Sequence, residues 1–129
     1  DVTPPAISAL SVSSTANSAV ITWTTDEPAN SQVNYGSTSS NWALTPIDYT
    51  MVTSHSVTLT GLTSSTLYKY RVMSNDNKGN STQVPLYPSY NTFTTGAQSS
   101  SGNAVQLAII LESLRSLIST LQKLQELFR

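Results

Sequence analysis

His55 is the single histidine of this sequence, and histidine is the side chain that titrates nearest neutral pH. A catalytic or metal-binding histidine needs a nucleophile or further ligands close by. The sequence has no cysteine and no second histidine, so it has no disulfide, Cys–His pair or cysteine-ligated metal. His55 opens a short alternating segment, 55–59 (HSVTL), among serines and threonines. We therefore expect it to have a structural or surface role.

Two acidic segments could supply acid–base groups or calcium ligands. Asp26 and Glu27 are adjacent and precede Pro28, so a turn accounts for them, and neighbours in a turn point apart. The loop 75–80 (NDNKGN) offers oxygen ligands, but it lacks the EF-hand spacing and its bidentate glutamate. The many serines include no Gly-x-Ser-x-Gly motif. The sequence predicts no enzyme, no cofactor and no metal site.

Three aromatic residues stand out as ligand or subunit contacts. Trp42 lies in a serine-rich loop, and Tyr87 and Tyr90 lie beside Pro85 and Pro88. Such rings either stack on a sugar or pack over the edge of a domain. Packing is favoured for Trp42, and edge packing or a subunit contact for the tyrosines, while a glycan or other surface ligand remains the functional alternative.

Composition limits the classes of partner and compartment. A formal net charge of -1 with 10% charged residues gives no basic footprint for nucleic acid and no polybasic membrane patch. Serine and threonine make up roughly a third of the chain, a balance typical of secreted β-rich surface proteins. We therefore expect an extracellular or cell-surface protein. The sequence starts at Asp1 without a Met or a signal peptide, so we expect that either processing or the design of the expressed chain has removed what came first, and a secreted protein would have lost its signal peptide.

The first three quarters of the chain show the pattern of a β-sandwich. Trp23 is expected in its core, a bulge between Ile7 and Leu10, a turn at 26–28, and either a weak strand or an irregular crossing at 42–50. Apolar residues alternate with polar ones in seven short segments: 7–12, 19–25, 31–35, 55–59, 67–74, 82–87 and 90–95. The predicted fold class is an all-β sandwich of about seven strands, followed by a linker and one long C-terminal α-helix.

This sandwich resembles the fibronectin type III family. The resemblance rests on Trp23 in ITW, Tyr35 in VNYG, the run 59–62 (LTGL) before Thr66, Leu67 and Tyr68, and the loop 76–80 (DNKGN). In that family the position of Leu62 plugs the core and that of Tyr68 forms the tyrosine corner. The resemblance implies that the Tyr68 hydroxyl bonds an upstream backbone group. It covers about residues 5–95 and leaves function open, because family members serve as spacers, adhesion modules and enzyme appendages.

The last quarter follows a different periodicity. Boundaries are expected at 1–95 for the sandwich, 96–102 for a Gly/Ser linker and 103–129 for an amphipathic helix with Asn103 as N-cap. Apolar residues recur at spacings of three and four, which is a heptad seam. With the flanking positions, the predicted oligomerisation residues are Leu107, Ile110, Leu111, Leu114, Leu117, Ile118, Leu121, Leu124, Leu127 and Phe128.

The width of this stripe indicates how the helix associates. Leu111 and Ile118 occupy positions where a simple dimer has charged pairs, so one partner does not cover the stripe. We expect a trimer or larger bundle, or lateral packing in a filament core. The alternatives are a helix that covers its own sandwich and a helix on a membrane surface. Because Glu112 and Arg115 interrupt the apolar run, no membrane span is expected.

Together these features predict a non-enzymatic extracellular structural protein. Its partner is itself, through a C-terminal helix that builds a filament, sheath or oligomeric stalk displaying β-sandwich domains. The alternative is an adhesion or carbohydrate-binding module that a helical bundle makes multivalent.

Overall fold

The computed structural model describes residues 1–38, 42–98 and 101–129, with the side chains of all of these except 101–103. Within these residues it contains seven β-strands and one α-helix, which confirms the predicted fold class. In chain order they are β1 Ile7–Ser14, β2 Ala19–Gly36, β3 Ala43–Leu44, β4 Asp48–Leu59, β5 Leu67–Asn75, β6 Ser81–Val84, β7 Asn91–Thr94 and α1 Ser101–Leu127.

The strands form two antiparallel sheets that share β2. In sheet A, the first half of β2 pairs with β1 on one side and β4 on the other. In sheet B, the second half of β2 pairs with β3 and β5. β5 also pairs with β6 through its C-terminal half and with β7 through its N-terminal half. The sheets therefore enclose one core between their inner faces.

The course of β2 differs from the prediction. The sequence predicts a turn at 26–28 between two strands, whereas β2 continues without a break for 18 residues. Its pairing with β4 shifts register between Thr24 and Ala29, a segment that includes Pro28. Proline has no N–H to give to a ladder and is tolerated at such irregularities. The predicted turn is therefore wrong, and the two predicted strands are halves of one strand that passes from sheet A to sheet B.

At two other irregular segments the structure agrees better with the sequence-based predictions. In β1 the register with β2 shifts between Ser8 and Ser11, and Ala9 has a positive φ of 51°, which confirms the predicted bulge. The ambiguous segment 42–50 contains the two-residue strand β3 and the beginning of β4.

The core is centred on Trp23, as predicted. Its indole is buried, and Nε1–H donates a hydrogen bond of 2.9 Å to the buried Ser74 Oγ of β5. Ile21 and Val33, from the two halves of β2, and Val72 from β5 are fully buried in the same cluster. Alternation of these residues with polar ones fixes which face of each strand points inward.

The connection from β4 to β5 contains the tyrosine corner that the resemblance implies. Gly61 has a φ of +68°, a conformation that glycine adopts without steric cost, and Leu62 follows it into the core. The Thr63 N–H donates a hydrogen bond of 2.9 Å to the Tyr68 hydroxyl oxygen. Both expectations for Leu62 and Tyr68 are confirmed.

The chain divides into two units, Asp1–Gln98 and Ser99–Arg129. Gly96, which the sequence places in the linker, is hydrogen-bonded within the first unit, its N–H to the Thr15 oxygen and its oxygen to the Ser65 N–H, each at 2.9 Å. Residues 99 and 100 of the predicted linker lie outside the described residues.

In the second unit, α1 begins at Ser101 rather than at Asn103. Asn103 therefore lies inside the helix, and its predicted capping side chain is outside the described part of the chain. α1 ends at Leu127, so Phe128 lies one residue beyond it and donates its N–H to the Gln125 oxygen at 3.3 Å. Helix ends vary by a residue or two because serine and glycine do not stop a helix as proline does.

Candidate functional site

His55 is buried in sheet A, with 2% of its surface exposed. Its ring stacks on Trp23, with 5.0 Å between ring centres and 6° between planes. Thr25 Oγ1 lies 2.8 Å from Nε2, and Ser31 Oγ lies 2.7 Å from Nδ1. The Thr25 hydroxyl donates to the Glu27 oxygen at 2.7 Å, so it accepts from Nε2–H. Both ring nitrogens are therefore within hydrogen-bond distance of a hydroxyl group.

This environment gives His55 a structural role. Burial lowers the pKa of His55 below its ordinary value, and the charge of Asp48 offsets this only in part. Both ring nitrogens are occupied by hydroxyl groups inside the sandwich, so neither is available to a substrate. Of the two roles predicted from the sequence, the structural one is correct.

Three carboxylates that are distant in sequence lie close together: Asp1, Glu27 and Asp76 each place an oxygen within 4.8 Å of the others. Asp76 Oδ1 accepts the N–H groups of Lys78 at 2.8 Å and Asn80 at 2.9 Å, and Oδ2 accepts the Asn80 amide at 2.7 Å. Burial raises the pKa of Asp76, but these hydrogen bonds outweigh it and leave the pKa below its ordinary value. Turn chemistry therefore accounts for Asp76.

The three aromatic residues that the sequence singled out lie together beside two cations. The ring centres of Trp42 and Tyr90 are 6.3 Å apart. The Arg71 guanidinium carbon lies 4.4 Å from the ring centre of Trp42 and 5.5 Å from that of Tyr87. Lys69 Nζ lies 4.5 Å from the ring centre of Tyr90. We call these five residues the aromatic patch.

The elements of sheet B explain this grouping. Lys69 and Arg71 alternate along β5 with Tyr68 and Tyr70, which face the core, so both cations stand on the outer face. The three rings come from the segment before β3 and from the connection between β6 and β7. The patch is thus assembled from three separate parts of the chain.

Arg71 holds the connection between β6 and β7 against the sheet. Its Nε–H donates to the Ser89 oxygen at 2.6 Å, and its Nη2–H donates to the Pro88 oxygen at 3.1 Å. Arg71 is 6% exposed, yet it forms no ion pair with a carboxylate in residues 1–38, 42–98 or 101–129. Carbonyl oxygens and the faces of Trp42 and Tyr87 surround its charge instead.

The rings differ in how much surface they leave open. Trp42 is half-buried, as its expected packing requires, whereas Tyr87 is 81% exposed and Tyr90 is also exposed. The sequence analysis missed the contribution of Lys69 and Arg71. Their signal was the period-two alternation in LYKYRVM, which places both on one face of β5.

The ten predicted oligomerisation residues, nine inside α1 and Phe128 just beyond it, form the second candidate surface, which we call the apolar stripe. Its members inside α1 other than Leu127 are each between 44% and 61% exposed, and Leu127 and Phe128 are more exposed still. These eight members are Leu107, Ile110, Leu111, Leu114, Leu117, Ile118, Leu121 and Leu124. Val105 and Ile109, which the sequence analysis did not include, are also exposed. The N-terminal half of α1 is therefore apolar beyond the predicted stripe.

By length and composition, α1 could also cross a membrane. The segment Ala104–Leu127 has 24 residues, and its most apolar 18-residue window has a mean hydropathy of 1.4 and no buried residue. Glu112 and Arg115, which form an ion pair of 3.2 Å, lie at the middle of this segment. The sequence-based expectation of no membrane span therefore stays a prediction, and binding of the chain to lipid vesicles tests it.

A seven-stranded sandwich with a buried Trp23 and a tyrosine corner defines a fibronectin type III-like domain. Residues 4–95 match the family model of the purple acid phosphatase N-terminal domain, and the chain belongs to that family. The matched region is a non-catalytic domain, and sandwiches of this kind generally have structural or binding roles. No curated protein sequence matches the chain.

The sandwich is similar to several domains of known structure. The sandwich is similar to the sensor domain of the anti-sigma factor RsgI4 of Pseudobacteroides cellulosolvens, with 25% identity, a TM-score of 0.51 and coverage of 76% of this chain and 100% of that one. It is similar to a computationally redesigned β-sandwich protein, with 28% identity, a TM-score of 0.52 and coverage of 77% and 100%. It is also similar to the fn3 domain of human collagen alpha-1(XX), with 26% identity, a TM-score of 0.49 and coverage of 75% of this chain and 88% of that one.

Proposed function

We propose that this chain is a non-enzymatic extracellular structural protein that assembles with copies of itself through α1. The assembly is a filament, sheath or oligomeric stalk that displays the sandwich domains. The observation that carries this proposal is the apolar stripe, whose side chains are exposed from Leu107 to Leu127 of a 27-residue helix. Such a helix is about 40 Å long at 1.5 Å per residue.

The stripe supports association because its exposure to water is costly. Burial of a leucine or isoleucine side chain contributes about 1.5–3 kcal/mol relative to exposure. An isolated amphipathic helix is marginal in water, and it gains most of its stability from packing. Large contiguous apolar surfaces on soluble proteins mark sites of interaction.

The distribution of the stripe favours more than two helices. Leucine fills the first core position of each heptad at Leu107, Leu114 and Leu121, and Leu111 and Ile118 widen the stripe at the flank. Leucine at that position with mixed leucine and isoleucine at the other core position favours trimers and larger bundles. Exposure of Ile109 outside the stripe favours lateral packing of further helices.

Insertion of α1 into a bilayer is the competing role for the same surface. It would place Glu112 and Arg115 near the centre of the hydrocarbon, where each charge costs about 2.5–3.5 kcal/mol on translocon-insertion scales. In a water-exposed bundle these two residues lie on the outer face at no such cost. Self-association is therefore the better use of this helix.

The test compares two double variants of the full chain by light scattering and negative-stain electron microscopy. Leu114→Asp with Leu121→Asp places charge in the stripe, and we expect it to abolish association. The matched control, Ser119→Asp with Gln122→Asp, adds the same charge on the outer face and is expected to assemble normally. Equal assembly of both variants, or loss in both, contradicts the proposal.

The second candidate function is an adhesion or carbohydrate-binding module, and the aromatic patch favours it. Tyr87 offers a nearly free ring face, and sugars bind to such faces through their C–H groups. In a bundle, several copies of a weak site would raise avidity without new contacts. The two functions are compatible because they use different units of the chain.

A further inference from the structure

The outer face of sheet B has an unsatisfied acceptor next to the aromatic patch. Asn34 of β2 is the register partner of Arg71 of β5. Asn34 alternates with the core residue Val33, so both register partners stand on the outer face. Asn34 Oδ1 is buried and has no hydrogen-bond partner within the described residues. Because this oxygen is closed to solvent, a ligand on the outer face does not reach it, and the aromatic patch itself must provide the contacts.

The same face carries positive charge without a counter-charge. Neither Lys69 nor Arg71 forms an ion pair with a carboxylate in the part of the chain that the structure describes. The chain as a whole has a formal net charge of -1, so this positive area is local. Arg71 is buried beneath the rings and bonded to backbone oxygens, whereas Lys69 is half-buried and reaches Tyr90. Lys69 is therefore the cation that a ligand can contact.

We propose that the aromatic patch binds a carboxylated sugar. The C–H face of the sugar ring stacks on Tyr87, and its carboxylate pairs with the Lys69 ammonium group. Arg71 is a positioning residue, because it fixes the segment that carries Tyr87 and adds positive potential from below.

Each feature of the face selects against other ligands. A neutral sugar would leave both cations without a counter-charge, and a small inorganic anion would leave the Tyr87 ring open. A nucleic acid also combines stacking with negative charge, but it needs a longer basic track than two cations on a net-acidic chain. A carboxylated sugar provides an apolar ring face and one negative charge together.

This proposal names the ligand class for the binding-module candidate, and it does not depend on assembly of α1. The test uses isothermal titration of the full chain with hexagalacturonate and with its methyl ester, which has the same ring but no charge. We expect the acid to bind at least about tenfold more tightly than the ester, a ratio that corresponds to the loss of one close ion pair.

Two substitutions at exposed tyrosines supply a matched comparison. Tyr87→Ala should weaken binding of the acid by about tenfold, as loss of a stacking contact does. Tyr49→Ala removes a ring that is 75% exposed on β4, outside the patch, and should leave binding unchanged. Lys69→Gln should remove the preference for the acid over the ester. Circular dichroism of each variant reports whether it is folded.

Four results would overturn the proposal: no binding of the acid, equal binding of acid and ester, equal losses in Tyr87→Ala and Tyr49→Ala, or equal binding of oligothymidylate. Light scattering on the same samples separates this inference from assembly. Sugar binding by chains that do not associate contradicts the proposed assembly alone, and assembly without sugar binding contradicts this inference alone.

Discussion

His55 is a side chain with catalytic potential that the fold uses for packing. The Trp23 ring stacks on the imidazole, and the hydroxyls of Thr25 and Ser31 lie within hydrogen-bond distance of its two nitrogens. The sequence could not show this arrangement, because the two hydroxyls come from a different strand, 30 and 24 residues away. Sequence analysis excluded chemistry at His55 only through the absence of suitable partners.

Because burial lowers the pKa of His55, the folded protein should lose stability as the pH falls through the histidine range. In the unfolded chain the His55 imidazole binds a proton near pH 6.5, whereas in the folded chain it binds one only at lower pH. The stabilising contribution is therefore complete above that pH and declines below it. We expect the urea midpoint to fall between pH 7.5 and pH 5.5, as followed by tryptophan fluorescence.

The control for this prediction is His55→Gln, which does not titrate. Its urea midpoint should be lower at pH 7.5 but nearly constant over the same range. Asp48 and Asp76, whose pKa values are also lowered, affect stability only at more acidic pH. A wild-type midpoint that does not change from pH 7.5 to pH 5.5 would contradict this account of His55.

The aromatic patch shows what residue types can and cannot predict. Trp42, Tyr87 and Tyr90 were identifiable because large rings beside serines and prolines need an explanation. Their convergence on Lys69 and Arg71 depends on strand register and on the path of the loops, which local sequence does not encode. The sequence therefore indicated the rings, and the structure supplied the cations.

At the scale of elements, period-two alternation predicted most of the strands. It failed at 26–28, where adjacent acidic residues and Pro28 have strong turn propensity. Pairing with β1, β4 and β5 on either side of this segment outweighs that propensity and keeps β2 continuous. Turn signals are local, whereas strand continuity is decided by neighbours distant in sequence.

The tyrosine corner gives a quantitative test of the connection between β4 and β5. Tyr68→Phe keeps the ring but removes the oxygen that accepts the Thr63 N–H, so we expect a loss of about 1–2 kcal/mol in the free energy of unfolding. Tyr49→Phe, at an exposed ring, should change it by less than about 0.5 kcal/mol. Urea denaturation measures both. Equal effects of the two substitutions would show that the hydrogen bond does not stabilise the bend.

The helix was the easiest element to predict and its ends the hardest. The seam of Leu107, Leu114 and Leu121 requires a helix whatever surrounds it. The first turn at Ser101 and the exclusion of Phe128 were not predicted, because no strong breaker marks either end. These shifts leave nine of the ten predicted oligomerisation residues inside α1.

At the scale of the whole molecule, a self-contained sandwich is joined in sequence to a helix whose apolar side chains are exposed. The sandwich buries its own core around Trp23. The helix has no comparable burial, and this difference is the basis of the proposed assembly. If the contact between copies closes on itself, it gives a finite bundle, and if it does not close, it propagates into a filament.

The most direct measurement is sedimentation velocity of the unmodified chain over a wide range of concentration, with and without lipid vesicles. The account predicts a trimer or larger species, or filaments, in aqueous buffer, with no transfer to the vesicles. A chain that remains monomeric in buffer at all concentrations, or that moves into the vesicles, would contradict self-assembly through α1.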